Sequence, residues 1–334
     1  MMRTFLVAVM VCAVLGSGLV AHAQGVGGEA QAGKPTPVAV VPFELYHNRV
    51  YLAVSVNGSK PYEMILDTGA AETFVNEEVA DVLRLPRKGK ATVNGNGEGV
   101  GQFALTKDVN FGVGAASLLE KTVVIYDYTD FEKHEGRKVD GTLGVNFFHR
   151  YVVEIDYENK KVMVYEPETF RYTGPGTKVP LRILNGGTLA LFDTEITPKS
   201  GAEAIKARLA VDSGTYSALR LFRPFVAKHG LIEEGNEQFE SVGFGAGGEF
   251  QQVTGYVDEL SIAGSKMRKA VADFSTDRRG VTATQAYDGT IGGEILRRFT
   301  VTLDYSRSEM WLEPNGAFGQ AFVTGASGER RSKQ

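Results

Sequence analysis

The sequence predicts an all-β protein built as two similar lobes related by a pseudo-two-fold axis. Three observations carry that reading. Alternating apolar runs end in turn signals, as at 50–56 before Asn57-Gly58. Glycine is abundant, 40 residues against 11 prolines, which favours hairpins over a helical bundle. The second half of the chain also repeats the first. Asp140-Gly141-Thr142-Leu143-Gly144 returns as Asp288-Gly289-Thr290-Ile291-Gly292, Arg150 as Arg298, and Asp156-Tyr157 as Asp304-Tyr305. The offset is constant (288 − 140 = 148), a repeat of domain size rather than solenoid size. At 334 residues each half is long enough for its own core.

Residues 1–23 read as a signal peptide. Arg3 supplies the positive start, 5–15 is apolar, and Ala21-His22-Ala23 is a small-residue cleavage site. Gly16, Ser17 and Gly18 interrupt the apolar run, leaving it short of the ~20 residues a spanning helix needs. The expected product is exported, periplasmic or extracellular, and has no membrane span. Its lead-in, 24–38, is Gly-, Ala- and Pro-rich with too little apolar material to pack.

The first lobe is expected over 39–168. A strand at 62–66 delivers Asp67, a short helix follows at 76–83, and 93–102 carries Gly95, Gly97, Gly99 and Gly101, the pattern of a mobile hairpin over a cleft. Strands at 109–113 and 121–126 come next, then a polar loop at 127–138. A short helix at 145–150 leads into a hairpin, 152–157 with 161–165. Residues 169–180 read as a linker, 181–315 as the second lobe, and 316–334 as a polar tail. In the second lobe, strands are expected at 188–196, 202–211, 256–262 and 270–274, with a second Gly-rich hairpin near 241–250 containing Gly245 and Gly247. The Gly243-to-Gly248 run fits G-x-G-x-x-G, but strand rather than helix follows it, so a dinucleotide site is not indicated.

Composition excludes several chemistries. Cys12 is the sole cysteine and lies within the leader, so the processed chain has no thiol for disulfides, metal sites or nucleophilic attack. The net charge of −4 and the absence of long basic runs give no support for a nucleic-acid partner. His47, His134, His149 and His229 show no metal-ligand spacing, and no G-x-S-x-G elbow occurs.

Two stretches remain, Ile65-Leu66-Asp67-Thr68-Gly69-Ala70 and Ala210-Val211-Asp212-Ser213-Gly214-Thr215. Each is an apolar strand ending in Asp-(Thr/Ser)-Gly, where the glycine permits a close backbone approach or a positive φ. One such turn is common between strands. Two in matching positions of a repeat suggest two carboxylates meeting on the axis. Asp140 and Asp288 are read as turn-forming, Arg150 and Arg298 as structural, and Phe147, Phe148 and Phe299 as core.

These motifs, with Leu143-Gly144 and Ile291-Gly292, resemble the pepsin and retroviral-protease-like aspartic peptidase family over about residues 40–315. The resemblance implies a pepsin-like fold in which each lobe is a retropepsin-like closed β-barrel. Both halves are present in one chain, so a monomer suffices. It implies Asp67 and Asp212 as the catalytic pair, supported by Thr68, Gly69, Ala70, Ser213, Gly214 and Thr215. The partner is a polypeptide substrate in extended conformation, and no cofactor is required. The chain departs from pepsins in lacking cysteines for disulfides and a Tyr in the 93–102 hairpin.

The chemistry accounts for the pair. Metal-free peptide hydrolysis needs an activated water and an acid for the leaving nitrogen. Two carboxylates sharing one proton supply both, because like charges a few Å apart cannot both ionise easily. Thr215 is positioned to hydrogen-bond its own Asp and Ala70 is not, which makes Asp212 the expected anion and Asp67 the proton holder. Two alternatives stand beside this reading. One is a non-catalytic module gripping an extended peptide or envelope protein. The other is a glycosidase, which needs its carboxylates ~5 Å or more apart.

Overall fold

The alternation read in the first lobe becomes a strand whose side chains divide between core and solvent. Ala39, Val41 and Phe43 are buried while Val40, Pro42 and Glu44 are exposed. The computed structural model describes residues 35–94, 100–233, 237–245 and 248–322, which belong to one compact unit, Lys34–Gln334. The predicted leader and the lead-in up to residue 34 lie outside the described residues.

The first half runs β1 (Ala39–Tyr46), β2 (Arg49–Val56), β3 (Tyr62–Leu66), β4 (Thr73–Asn76), α1 (Glu77–Val82), β5 (Lys90–Asn94), β6 (Val100–Thr106), β7 (Val109–Val113) and β8 (Ala116–Glu120). It continues through β9 (Val123–Tyr126), α2 (Thr129–Glu135), β10 (Gly141–Leu143), α3 (Val145–Arg150), β11 (Val152–Asp156) and β12 (Lys161–Tyr165). The second half runs β13 (Thr177–Pro180), β14 (Arg182–Leu184), β15 (Leu189–Thr197), β16 (Ile205–Val211), β17 (Leu219–Leu221), α4 (Arg223–His229) and β18 (Phe239–Gly245). It closes with β19 (Gly248–Ile262), β20 (Ser265–Ser275), β21 (Gly289–Ile291), α5 (Gly293–Leu296), β22 (Phe299–Asp304) and β23 (Glu309–Pro314). The fold is all-β and two-lobed.

The lobes share one construction. In the first, β3 pairs parallel with β10, and β10 antiparallel with β4, which pairs parallel with β9. In the second, β16 pairs parallel with β21, and β21 antiparallel with β17, which pairs parallel with β20. Parallel neighbours need long crossovers, so each Asp-bearing loop sits where β3 or β16 ends beside a strand arriving from far along the chain.

Between the lobes the order β13-β23-β22-β11-β12-β1 forms a shared sheet. Its central pair, β11 and β22, is antiparallel with Val153 opposite Leu303, Glu154 opposite Thr302 and Ile155 opposite Val301. Glu154 thus faces the residue 148 positions after itself, which places the pseudo-two-fold axis between those two strands. The first hairpin turn of each lobe reaches the other lobe. Asn48 donates to the Tyr216 carbonyl at 3.1 Å, and His149 Nε2 lies 2.6 Å from the Gly187 carbonyl.

Several elements differ from the sequence expectation. The stretch 127–138 contains helix α2: Asp127 accepts the Thr129 N–H at 2.9 Å, Phe131 packs edge-on against Tyr128, and Gly136 ends the helix in the left-handed region (φ 77°). A polar composition concealed that single apolar anchor. The expected linker contains β13, whose Val179 is buried in the shared sheet. Asp140 and Asp288 accept from the backbone of Glu63 and Arg208 at 2.8 and 2.7 Å, stitching equivalent strands.

Arg150 and Arg298 occupy equivalent positions in different surroundings. Arg150 is paired with Glu166 at the surface. Arg298 is fully buried, bonds Glu294 at 2.7 Å, donates to the carbonyls of Ala317, Phe318, Gln320 and Ala321, and lies 3.8 Å from the Phe322 ring centre. The tail through residue 322 is therefore folded onto the second lobe. Removing Arg298 strips several buried carbonyls of their donor and leaves Glu294 paired with Arg297 alone. Arg298→Ala is expected to cost about 3–5 kcal/mol and Arg150→Ala about 0–1 kcal/mol, measured by urea unfolding. Equal losses would contradict this assignment.

Candidate active site

Asp67 and Asp212 follow β3 and β16 directly, and the N–H of each is held by the strand beside it. Asp67 donates to the Leu143 carbonyl and Asp212 to the Ile291 carbonyl, both at 3.0 Å. The next residues cross-link the loops. Thr68 Oγ1 donates to the Val211 carbonyl at 2.8 Å and accepts the Ser213 N–H at 3.0 Å. Ser213 Oγ donates to the Leu66 carbonyl at 2.8 Å and accepts the Thr68 N–H at 3.1 Å. Both hydroxyls are buried, and each uses its donor and an acceptor site. This reciprocal set holds the two carboxyls face to face.

The glycines are required by close approach. Each Asp accepts the N–H of its own glycine, Gly69 at 2.7 Å and Gly214 at 3.2 Å. A Cβ on Gly69 would lie 2.7 Å from Asp212 Oδ1, and one on Gly214 would overlap the Asp67 carboxyl. Neither glycine has a positive φ. The carboxyls are half-buried at the floor of a cavity of about 500 Å³ between the lobes.

Burial raises both carboxyls, and their contacts separate them. Asp67 is pushed up to about 7 by burial and then by the charge of Asp212, against the N–H groups of Gly69 and Ala70 and the positive charge of Arg49. Asp212 is also raised by burial, but Arg220, Arg49, the Gly214 N–H and a hydrogen bond with Asp67 pull it back. These contacts favour the proton on Asp67 and the charge on Asp212. The bias comes from Arg220, which acts on Asp212, while Arg49 acts on both carboxyls; Thr215 contributes only a backbone N–H contact to the Asp212 carbonyl, at 3.4 Å.

Those cations were not singled out from the sequence. Arg49 crosses from the first lobe to donate to the Gly214 carbonyl at 2.7 Å, pairs with Glu135, and lies against the rings of Phe131 and Tyr216. Arg220 lines the second-lobe side of the cavity. The available signal was a charge inside the apolar run Ala218-Leu219-Arg220-Leu221-Phe222.

The β18–β19 hairpin covers the cleft. Phe244 and Gly245 line the cavity, and Phe244 stacks on His134 of α2 with ring centres 4.1 Å apart. Gly247 lies outside the described residues, as do Gly95, Gly97 and Gly99. No metal-ligand cluster occurs among the described residues, and no helix among them is long and apolar enough to cross a membrane.

Comparison with known proteins agrees with this geometry. Residues 52–147 match the family model described as Aspartyl protease. Among solved structures, the chain is similar to an aspartic proteinase from Irpex lacteus, with a TM-score of 0.53 and 13% identity over 85% of this chain and 98% of that one. These findings support an aspartic peptidase family. No curated protein sequence matches the chain. At that identity the structural likeness speaks for the aspartic proteinase fold, and the family match lies within the first lobe, around Asp67.

Because Asp67 is protonated in the folded state up to about 7 and releases its proton near 3.8 when exposed, the native chain binds more protons across that window. Stability contributed at this site therefore falls as pH rises through it. Asp67→Asn is expected to raise Tm at neutral pH, by roughly 2–4 °C for each kcal/mol of relieved burial cost, with little gain near pH 4. A gain independent of pH in calorimetry would contradict the assignment.

Proposed function

We propose that this chain is an exported aspartic-type endopeptidase that hydrolyses peptide bonds with a water activated between Asp67 and Asp212. The observation that carries the proposal is the reciprocal Thr68–Ser213 bonding, which brings two carboxyls within hydrogen-bond reach of each other. That contact disfavours the glycosidase alternative, which wants its carboxylates ~5 Å or more apart.

In the proposed reaction a substrate lies extended between the pair and the β18–β19 hairpin. Asp212, ionised, takes a proton from the water as its oxygen attacks the carbonyl carbon. Asp67, protonated, donates to the carbonyl oxygen and stabilises the charge developing there. The C–N bond then breaks as the proton held by Asp212 passes to the leaving nitrogen. The carbonyl re-forms and returns its proton to Asp67. The products are a carboxylic acid and an amine, and the pair ends with one proton, as it began.

The direct test is cleavage of denatured casein from acid to neutral pH by wild type, Asp67→Asn and Asp212→Asn, each confirmed folded. Either change is expected to reduce turnover by at least about a thousandfold. The wild-type rate is expected to fall on the alkaline side through about 7, where Asp67 loses its proton. Folded wild type without turnover at any pH would favour the non-catalytic peptide-binding module. For export, N-terminal sequencing of protein recovered outside the cytoplasm is expected to begin near Gln24. Recovery of the intact chain only in the cytoplasm would contradict it.

A further inference from the structure

The cleft floor is built twice from one strand pattern, and the copies differ in chemistry. In the first lobe Ile65, Thr142 and Phe74 lie side by side on β3, β10 and β4. In the second lobe Ala210, Thr290 and Arg220 lie side by side on β16, β21 and β17. All six line the cavity, and Thr142 and Thr290 are the equivalent residues of the repeat. The row ends in a phenylalanine on the Asp67 side and an arginine on the Asp212 side.

The surroundings enlarge the difference. Phe74 begins an edge-to-face chain of rings through Tyr126 and Tyr128 to Phe131, with centres 6.1, 4.7 and 5.9 Å apart. All four rings line the cavity, so this wall is aromatic. Arg220 is only 3% exposed, with its guanidinium 4.8 Å above the Phe250 ring. Its Nη2 reaches Ser217 Oγ at 3.3 Å, and its Nε has no hydrogen-bond partner.

The cross-strand neighbour of Arg220 is engaged by two hydroxyls. Asp273, opposite Arg220 in the β17–β20 register, accepts from the hydroxyls of Ser217 and Thr254, both at 2.7 Å. Among the described residues Arg220 forms no ion pair, whereas Arg49 in the same cavity is paired with Glu135. A buried guanidinium with an unused donor has the fork geometry for a carboxylate, and its desolvation is offset when one arrives.

We propose that Arg220 receives an acidic substrate side chain, so that the cleft selects peptides with Asp or Glu on one side of the cleaved bond and an aromatic or large apolar residue on the other. This rests on the peptidase reading. Phe74 and its neighbouring rings hold the apolar side chain, and Arg220 binds the carboxylate beside Asp212.

The test uses fluorogenic peptides that differ only by Glu or Gln at each position flanking the cut. Wild type is expected to favour Glu at one flanking position by about tenfold to a hundredfold in kcat/KM. Arg220→Gln is expected to bring that ratio close to one, mainly by raising KM for the Glu peptide, and Arg220→Lys to retain part of it. The ratio cancels any influence of Arg220 on the carboxyl pair, because both peptides share it. Equal losses for both peptides in Arg220→Gln would overturn the proposal, as would wild-type cleavage without acid preference. A parallel arm measures peptide Kd by fluorescence anisotropy on Asp67→Asn, with and without Arg220→Gln. Glu preference in binding without cleavage by wild type would overturn the peptidase reading and support the acid site. Cleavage with no Glu preference in either arm would do the reverse.

Discussion

Four hydrogen bonds between Thr68 and Ser213 and the facing strand ends hold the centre of this molecule together. Each hydroxyl donates to a carbonyl of the opposite lobe and accepts an N–H from it. Neither loop can satisfy its buried backbone groups alone, and an unpaired buried group costs about 1–3 kcal/mol. The lobes must therefore meet in one register, and that register puts the two carboxyls in contact. Gly69 and Gly214 follow from the same constraint, since each passes close against the opposing carboxyl.

The shared sheet supports this contact from the far side. With Glu154 opposite Thr302, residues equivalent in the repeat sit across the axis from one another, and a one-residue slip would turn every side chain to the wrong face. The reciprocal docking of Asn48 near Tyr216 and His149 near Gly187 fixes the lobes again at their first hairpins. The meeting of the two carboxyls thus depends on the register of the scaffold.

The surroundings of the carboxyl pair depart from the symmetry of the repeat. Two identical half-sites would leave the shared proton without a preferred position. Arg220 stands on the Asp212 side, where the first lobe has Phe74, and it favours charge on Asp212. Among the described residues, the β18–β19 hairpin reaches across the cleft through Phe244, stacked on His134. Arg150 and Arg298 repeat the theme, one at the surface and the other anchoring the folded tail. A duplicated scaffold supplies geometry, and its unmatched residues supply direction.

The all-β architecture, the duplication and the two Asp-(Thr/Ser)-Gly loops were legible in the sequence alone. They rest on local signals: period-two alternation, turn residues and a motif repeated at constant offset. Helix α2 was concealed, because Asp127 to Lys138 is polar by composition and its anchors, Phe131 against Tyr128 and Glu135 against Arg49, are tertiary contacts. The sequence suggested Thr215 as the group that sets Asp212 apart, whereas folding brings Arg220 to it from a neighbouring strand and sets Arg49 near both carboxyls. The sequence by itself determined which carboxyls would meet, because strand ends and tight turns are encoded by adjacent residues. Only the tertiary structure decided which of them keeps the proton and what surrounds the pair, because burial and charge at the cleft are set by residues far apart in the chain.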